Sequence, residues 1–326
     1  MTAIPMPAPT ALPAVVPMPA PTPAAPSAGP VPDATARTGL EAAAMTMMAN
    51  GMPGAAEHLF ARLAAHAPNA ELWSGRAMLA RETWRADAVA RDAVVPGFVP
   101  VPSAQRQADG APRFVLLVDE ARIATAEGAA RFTSELNGSG VDAELRHYLD
   151  AALDASNGFI DWMPGEGYAV LAACTAPQAP TAVVACAAPT HRDGLLRSLA
   201  LAEAGHRVTV RNAADATLDA LVAEVDAPML HVRAGCAADV PAMMATGREA
   251  VHAGRIASVL WSVPTTGLSG TAEQVAATVL SVLGFAHFTV VAGPDGAELA
   301  LFDGAPAGQT LVVSLSPAYL AAQGAA

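Results

Sequence analysis

The residues best placed to do chemistry lie in one stretch, Gly158 to Cys174, GFIDWMPGEGYAVLAAC. It opens with a short apolar run of strand length, and Asp161 stands where that strand ends. Gly165 and Gly167 form a G-x-G turn, and an apolar helical run starts at Tyr168. A strand-end Asp followed by a G-x-G and a helix start is how a Rossmann-like sheet presents a nucleotide-type cofactor to a helix N-terminus. One residue departs from that arrangement. Met163 occupies the turn where a cofactor would press closest, and only Gly lets backbone approach a ligand there.

Other constellations carry less. No G-x-S-x-G occurs, so a Ser/His/Asp triad has no nucleophile elbow to stand on. His206 and His287 fall in or beside strands and read as structural. His191, His231 and His252 are placed to line a crevice, where one would serve as a general base. Trp162 and Trp261 follow strand interiors and read as core or crevice packing. Cys174, Cys186 and Cys236 sit in apolar contexts with no C-x-x-C, as expected of reduced thiols in a cytoplasmic protein. A metal site from Cys186, Cys236 and His191 is the minor alternative, and no metal is expected.

Composition removes several function classes. The 326 residues carry a net charge of −12, and all 18 basic residues are Arg, scattered along the chain. A nucleic-acid footprint needs clustered cations, so no nucleic-acid partner is expected. The absence of Lys removes P-loop and Schiff-base chemistry, which both use that amine. Apolar residues reach 53%, yet no run of about 18 of them is free of charge and helix breakers. Neither a membrane span nor a secretory signal is expected.

Stepping along the chain, residues 1–37 hold 11 of the 27 Pro and read as a disordered Pro/Ala-rich arm. Residues 38–95 are helical, broken at Asn50-Gly51 and Pro53-Gly54. Ala56, Phe60, Leu63 and Pro68 fall at the offsets of a helix hairpin and resemble a tetratricopeptide repeat. About one and a half repeats are visible, too few to stand alone, so this segment should lean on the main domain or a partner. Residues 1–95 are therefore the expected route to a protein partner. Residues 96–112, with Pro96, Pro100 and Pro102, read as a linker.

From residue 113 onward the rhythm is α/β. Arg113 to Asp119 reads as a strand, with Ala121 to Thr125 as its hairpin mate. A helix follows with Leu145, Tyr148, Leu149 and Leu153 on its apolar positions. Strands are predicted at Phe159–Asp161, Ala182–Cys186, Arg207–Val210, Met229–Val232 and Ile256–Val263. Helices lie between them, over Thr190–Ala204, Ala238–Ala253 and Thr271–Leu283, stopped by Gly205, Gly254 and Gly284 in turn. Strands alternating with Gly-stopped helices predict parallel βαβ units. The end of the chain reads as an antiparallel hairpin over Phe288–Val291 and Glu298–Phe302, turning at Gly293-Pro294-Asp295-Gly296, with Thr310–Leu315 as an edge strand.

Four stretches now fall in an order and spacing that resemble an FkbM-type methyltransferase, a class I S-adenosylmethionine-dependent fold. Phe159 to Tyr168 is similar to its first cofactor motif. Pro189 to Ala214 is similar to its second helix and third strand. Thr217–Leu221 with Met229–Val232 is similar to its fourth helix and strand, and Arg255–Val263 to its fifth strand. The resemblance spans residues 113–326. It implies a Rossmann-like, seven-stranded sheet with an antiparallel last strand, and O-methylation of a sugar, lipid or polyketide-like hydroxyl. It also implies S-adenosylmethionine held by Asp161, Gly165, Gly167 and Tyr168, with Trp162 the other ring able to pack on the cofactor.

The same resemblance locates what is missing. A glycine of the turn is replaced by Met163, and Gly165 stands where the family usually has Asn. The acid that clamps the ribose falls at Ala187. The Lys-Ile-Asp after the fourth strand falls at His231-Val232-Arg233, with the next acid at Gly235, and the fifth strand's acid at Ser262. Losing one charged clamp, about 1.5–3 kcal/mol, weakens binding roughly 10- to 150-fold. A guanidinium about 6 Å from the cofactor's sulfonium would add ~3 kcal/mol of repulsion if Arg233 pointed into the crevice. The expectation is a degenerate methyltransferase-fold protein that works by binding. The alternatives are a live O-methyltransferase with a rebuilt site, and a nucleotide- or sugar-binding module using Arg233 for an anion.

Overall fold

Strand β3 (Asn157–Trp162) has all six residues buried, because apolar layers cover both faces of the sheet there. β4 (Ala182–Ala187) and β6 (Met229–Ala234) flank it, both parallel. The computed structural model describes residues 34–49, 53–66, 69–84, 97–103, 107–108, 112–119, 141–263, 271–293, 296–302, 304 and 310–324. Within them β5 (Val208–Asn212), β7 (Ile256–Val263), β8 (Ala286–Gly293), β9 (Gly296–Leu301) and β10 (Thr310–Leu315) complete an eight-stranded sheet of order β5-β4-β3-β6-β7-β10-β8-β9. This is the Rossmann-like α/β sheet expected, with β9 as one strand more than the seven implied. The arm up to Asp33, the strand mate at Ala121–Thr125 and the Pro294-Asp295 turn lie outside the described residues.

The last strand is antiparallel, as implied, but it is not at an edge. β10 lies between β7 and β8 and is antiparallel to both. Its sequence, TLVVSL, is a near-continuous apolar run rather than an alternating one. That is the mark of a strand covered on both faces, and its last five residues are indeed buried.

Alternation along β3 sorts the core into two layers. Phe159 joins Val183, Ala185, Leu260 and Val313 on one face. Ile160 and Trp162 join Val184, Leu230, Val232 and Trp261 on the other. Helix α4 (Val141–Ala152) covers the first face with Leu145, Tyr148 and Leu149, and Leu153 follows it; all four are buried as predicted. Helix α5 (Tyr168–Cys174) follows β3, and helix α6 (Pro189–Leu201) follows β4.

One predicted helix end moves, and one predicted helix is broken in two. α6 stops before Gly205. Glu203 takes the left-handed conformation instead, at φ 53°, with Ala204 N–H donating to Leu199 O and Glu203 N–H to Ala200 O. Those two bonds form a Schellman cap without glycine. The helix expected over Ala238–Ala253 is two, α8 (Asp239–Ala245) and α9 (Arg248–His252), numbered after α7 (Leu218–Glu224). The break falls at Gly247, where a Cβ would lie 2.5 Å from Leu218 Cδ2. Gly254 and Gly284 do adopt positive φ, as expected, the second just beyond α10 (Thr271–Val282).

The N-terminal helices are α1 (Ala34–Ala49), α2 (Pro53–His66) and α3 (Ala70–Trp84). α1 therefore begins inside the stretch expected to be an arm. Ala56, Phe60 and Leu63 are buried, and Phe60 stacks on Trp73 at 6.0 Å. Their core is continuous with the first sheet face. The connection runs through β1 (Phe98–Pro102) and β2 (Val115–Asp119), an antiparallel pair outside the main sheet.

β1 corrects the predicted linker. Both strands of a two-stranded sheet are edges, and there Pro100 and Pro102 are tolerated because a missing N–H costs no ladder bond on the open side. The pair docks on α6. Leu117 N–H donates to Ser198 Oγ at 2.8 Å, and a Cβ at Gly194 would fall 2.8 Å from Leu117 O. Gly194→Val is expected to lose about 1–3 kcal/mol through this overpacking, read as a lower urea midpoint.

Candidate functional site

In an open α/β sheet, ligands bind beyond the carboxyl ends of the strands. At the end of β3, Asp161 is wholly shielded from solvent. Its register partner on β6 is Arg233, and Arg233 Nη1 donates to Asp161 Oδ1 at 2.9 Å. Asp161 Oδ2 is buried with no hydrogen-bond partner. Burial pushes the Asp161 carboxyl above its usual range, and the neighbouring guanidinium only partly offsets this. The conditional repulsion from Arg233 therefore takes another form: the cation turns onto the adjacent strand and pairs with the carboxylate that the resemblance gives to the cofactor.

The turn after β3 is held from inside. Met163 is left-handed at φ 63°, a conformation that strains a side-chain-bearing residue by about 1–3 kcal/mol. Its N–H donates to Cys186 O, and its carbonyl lies 2.7 Å from where a Cβ on Gly235 would be. The loops after β3 and β6 thus close on each other, and Gly235 is small because Met163 is there.

Gly165 has φ 57°, and a Cβ on it would meet nothing within 4 Å. Gly167 has φ 90°, and its Cβ would fall 2.4 Å from Leu195 Cδ1 of α6. Its N–H donates to Pro164 O, closing the turn. Both glycines are required by backbone conformation, and Gly167 by a neighbour in the same chain.

Tyr168 is half-buried and meets Phe114 edge-on at 5.5 Å. Trp162 packs into the opposite sheet face. The structure therefore brings Asp161 and Arg233 together at the strand ends, while Tyr168 and Trp162 diverge onto different layers.

Ala187, at the ribose-clamp position, is fully buried, and its carbonyl accepts from Ala213 N–H. S-adenosylmethionine presents a sulfonium cation and a ribose diol. The residues present do not fit it: the first-strand carboxylate is already paired and shielded, and the second strand ends in a methyl group.

His231 is corrected from crevice to core. Its ring is fully buried, with Nδ1 2.9 Å from Ser258 Oγ and 3.2 Å from Tyr148 Oη. Burial lowers its pKa from 6.5 to about 4. The unfolded chain binds that proton more readily. The stability this provides is fully present above pH 6.5 and is lost as pH falls through 4, a change of roughly 3 kcal/mol. Urea unfolding at neutral and acid pH should show that loss, and His231→Gln should flatten it.

His287 reads as structural, and its hydrogen bonds agree. Ala277 O can only accept, so Nε2 carries the proton; Trp261 Nε1 can only donate, to Ser314 Oγ, which leaves the Ser314 hydroxyl proton for His287 Nδ1. Ser281 Oγ, 2.9 Å from Nε2, therefore faces a donor and not a base. His252 is exposed beyond β7's amino end, and His191 sits in the first turn of α6.

Cys174 and Cys186 are free and buried, with burial first among the causes that push their thiols up to about 12 and about 11. Such thiols are inert. Among the described residues, no group of three or more His, Cys, Asp or Glu side chains could hold a metal ion, and no helix is long and apolar enough to cross a membrane.

Sequence reading missed Glu144. Its Oε2 accepts from Leu311 N–H at 2.6 Å, and burial raises its carboxyl. No sequence signal marks it, because the contact joins residues 167 positions apart.

No protein-family description and no curated protein matches the chain. Solved structures are similar to it. One is a precorrin-6y C5,15-methyltransferase from Geobacter metallireducens, at 12% identity and TM-score 0.36, over 54% of this chain and 86% of that one. Another is an O-methyltransferase family protein from Burkholderia thailandensis, at 15% and 0.39, over 60% of each. A third is the O-methyltransferase from Bacillus cereus in complex with SAH, at 14% and 0.37, over 54% and 82%. These are likenesses of fold and bear no weight on activity. By its own strand order, with an antiparallel strand inserted beside β7, the chain has a Rossmann-like α/β fold.

Proposed function

We propose that this chain is an FkbM-like methyltransferase-fold protein whose cofactor site is degenerate, and that it works as a binding or scaffold protein. The observation that carries the reading is the ion pair between Arg233 and Asp161. A buried carboxylate that already has its cation has no charge left to balance a second one. Met163 and Leu195 support it, each placing the chain's own atoms against a loop glycine, and so does Ala187, which offers a methyl group where a ribose clamp would stand. The partner is a protein, engaged through residues 1–95. On that segment Met45, Leu72, Met78 and Leu79 are exposed, and the helix hairpin is of the tetratricopeptide-like kind. Free thiols, buried at Cys174 and Cys186 and exposed at Cys236, suit a cytoplasmic location.

Calorimetry on the full chain tests this. S-adenosylmethionine should give no saturable heat up to about 1 mM, and a micromolar dissociation constant would overturn the reading. A second reading, an active O-methyltransferase on a sugar, lipid or polyketide-like hydroxyl, is favoured by the open space beside Gly165 and the unpartnered Asp161 Oδ2. In that case Asp161→Ala abolishes binding and turnover together.

A further inference from the structure

We propose that the Arg233 guanidinium is the chain's own substitute for a bound organic cation, so that shortening Arg233 creates a site for a small planar cation at Asp161. The inference rests on the reading that the native crevice takes no cofactor. The Asp161 carboxylate is fully buried and needs a countercharge within hydrogen-bond reach. The ion pair meets that need at one oxygen: Nη1 reaches Oδ1 at 2.9 Å, while Oδ2, equally buried, has no hydrogen-bond partner. A guanidinium matches a carboxylate best as a two-point fork. Arg233, anchored one strand away in direct register, addresses Asp161 at Oδ1 through Nη1.

A guanidinium free of that tether has no such restriction and can address both oxygens. The route is present, because the Arg233 side chain keeps 22% of its surface exposed while its charged end reaches a carboxylate at 0%. Removing the side chain beyond Cβ leaves a slot of its own length from solvent to Asp161. The ligand class is a planar cation with parallel N–H donors, of guanidinium or amidinium type. The Asp161 carboxylate is the recognition group, and Arg233 is the residue that decides whether the slot is filled from within or from solution.

The test is thermal unfolding of full-length Arg233→Ala with methylguanidinium at about 20 mM, against methylurea, its neutral counterpart of similar shape. The variant should melt several degrees below the native chain. Methylguanidinium should restore at least half of that loss in a saturable way, methylurea should not, and the native chain should not shift. Asp161→Asn with Arg233→Ala should lose the response. If Arg233→Ala is unfolded at room temperature, the yield of refolded protein with each additive reads the same question. Equal effects of the two additives, or no recovery with either, would overturn the inference. Cofactor binding by the native chain is a separate outcome, read by calorimetry, and removes the underlying reading without deciding the rescue.

Discussion

Arg233→Met should lower the stability of the folded chain by about 3 kcal/mol, the low end of what breaking a buried ion pair costs, since Arg233 keeps 22% of its side-chain surface exposed. The cause is what remains: Asp161 stays at 0% exposure with both oxygens short of a partner. Converting that residue as well should recover most of the loss. In Asp161→Asn with Arg233→Met the buried charge is gone, and the two changes should be strongly non-additive, by about 1–3 kcal/mol. Denaturant midpoints of the native chain, both single variants and the double variant measure this directly. Additive effects would mean that the two residues act independently and that Arg233 does not serve Asp161.

Gly167→Val should be the second large effect. The residue sits at φ 90°, which costs a side-chain-bearing residue about 1–3 kcal/mol. Its Cβ would then stand 2.4 Å from Leu195 Cδ1, and Leu195 is fully buried with little room to yield. Overpacking adds about 1–3 kcal/mol. Gly165→Ala should lose only the backbone part, because its Cβ enters open space. The order, Gly167→Val well above Gly165→Ala, separates a glycine kept for packing within the chain from one kept for backbone alone. Equal losses at the two positions would remove Leu195 from the explanation.

Much of the scaffold was legible in the residues. β7 runs over Ile256–Val263 as predicted, because eight apolar and small residues between glycine-marked helices admit few other readings. The apolar positions of α4, Leu145, Tyr148 and Leu149, follow from helical spacing alone. What a single sequence does not carry is neighbourhood. β10 reads as a strand, but its place between β7 and β8 depends on which strands it meets. β1 hides behind Pro100 and Pro102, whose rule against strands applies to interior ladders. Glu203 closes α6 two residues before the glycine that composition favours.

The site divides in the same way. That Asp161 lies near the end of a strand, one residue short of its last position, and that Gly165 and Gly167 have positive φ, is written in the local pattern. The partner of Asp161 is 72 residues away, in register across the β3–β6 pair, and only the topology brings it there. The buried Tyr148–His231–Ser258 contact is hidden for that reason too: it joins α4, β6 and β7. Strand-end chemistry is set by cross-strand pairs, and a sequence shows each member without its mate.

The most direct measurement is an experimental map of crystals grown with millimolar S-adenosylmethionine. The account predicts Arg233 still paired with Asp161 and no methyl donor at the end of β3. A donor seated beside Asp161 and Gly167, with the Arg233 side chain turned out to solvent, would contradict it.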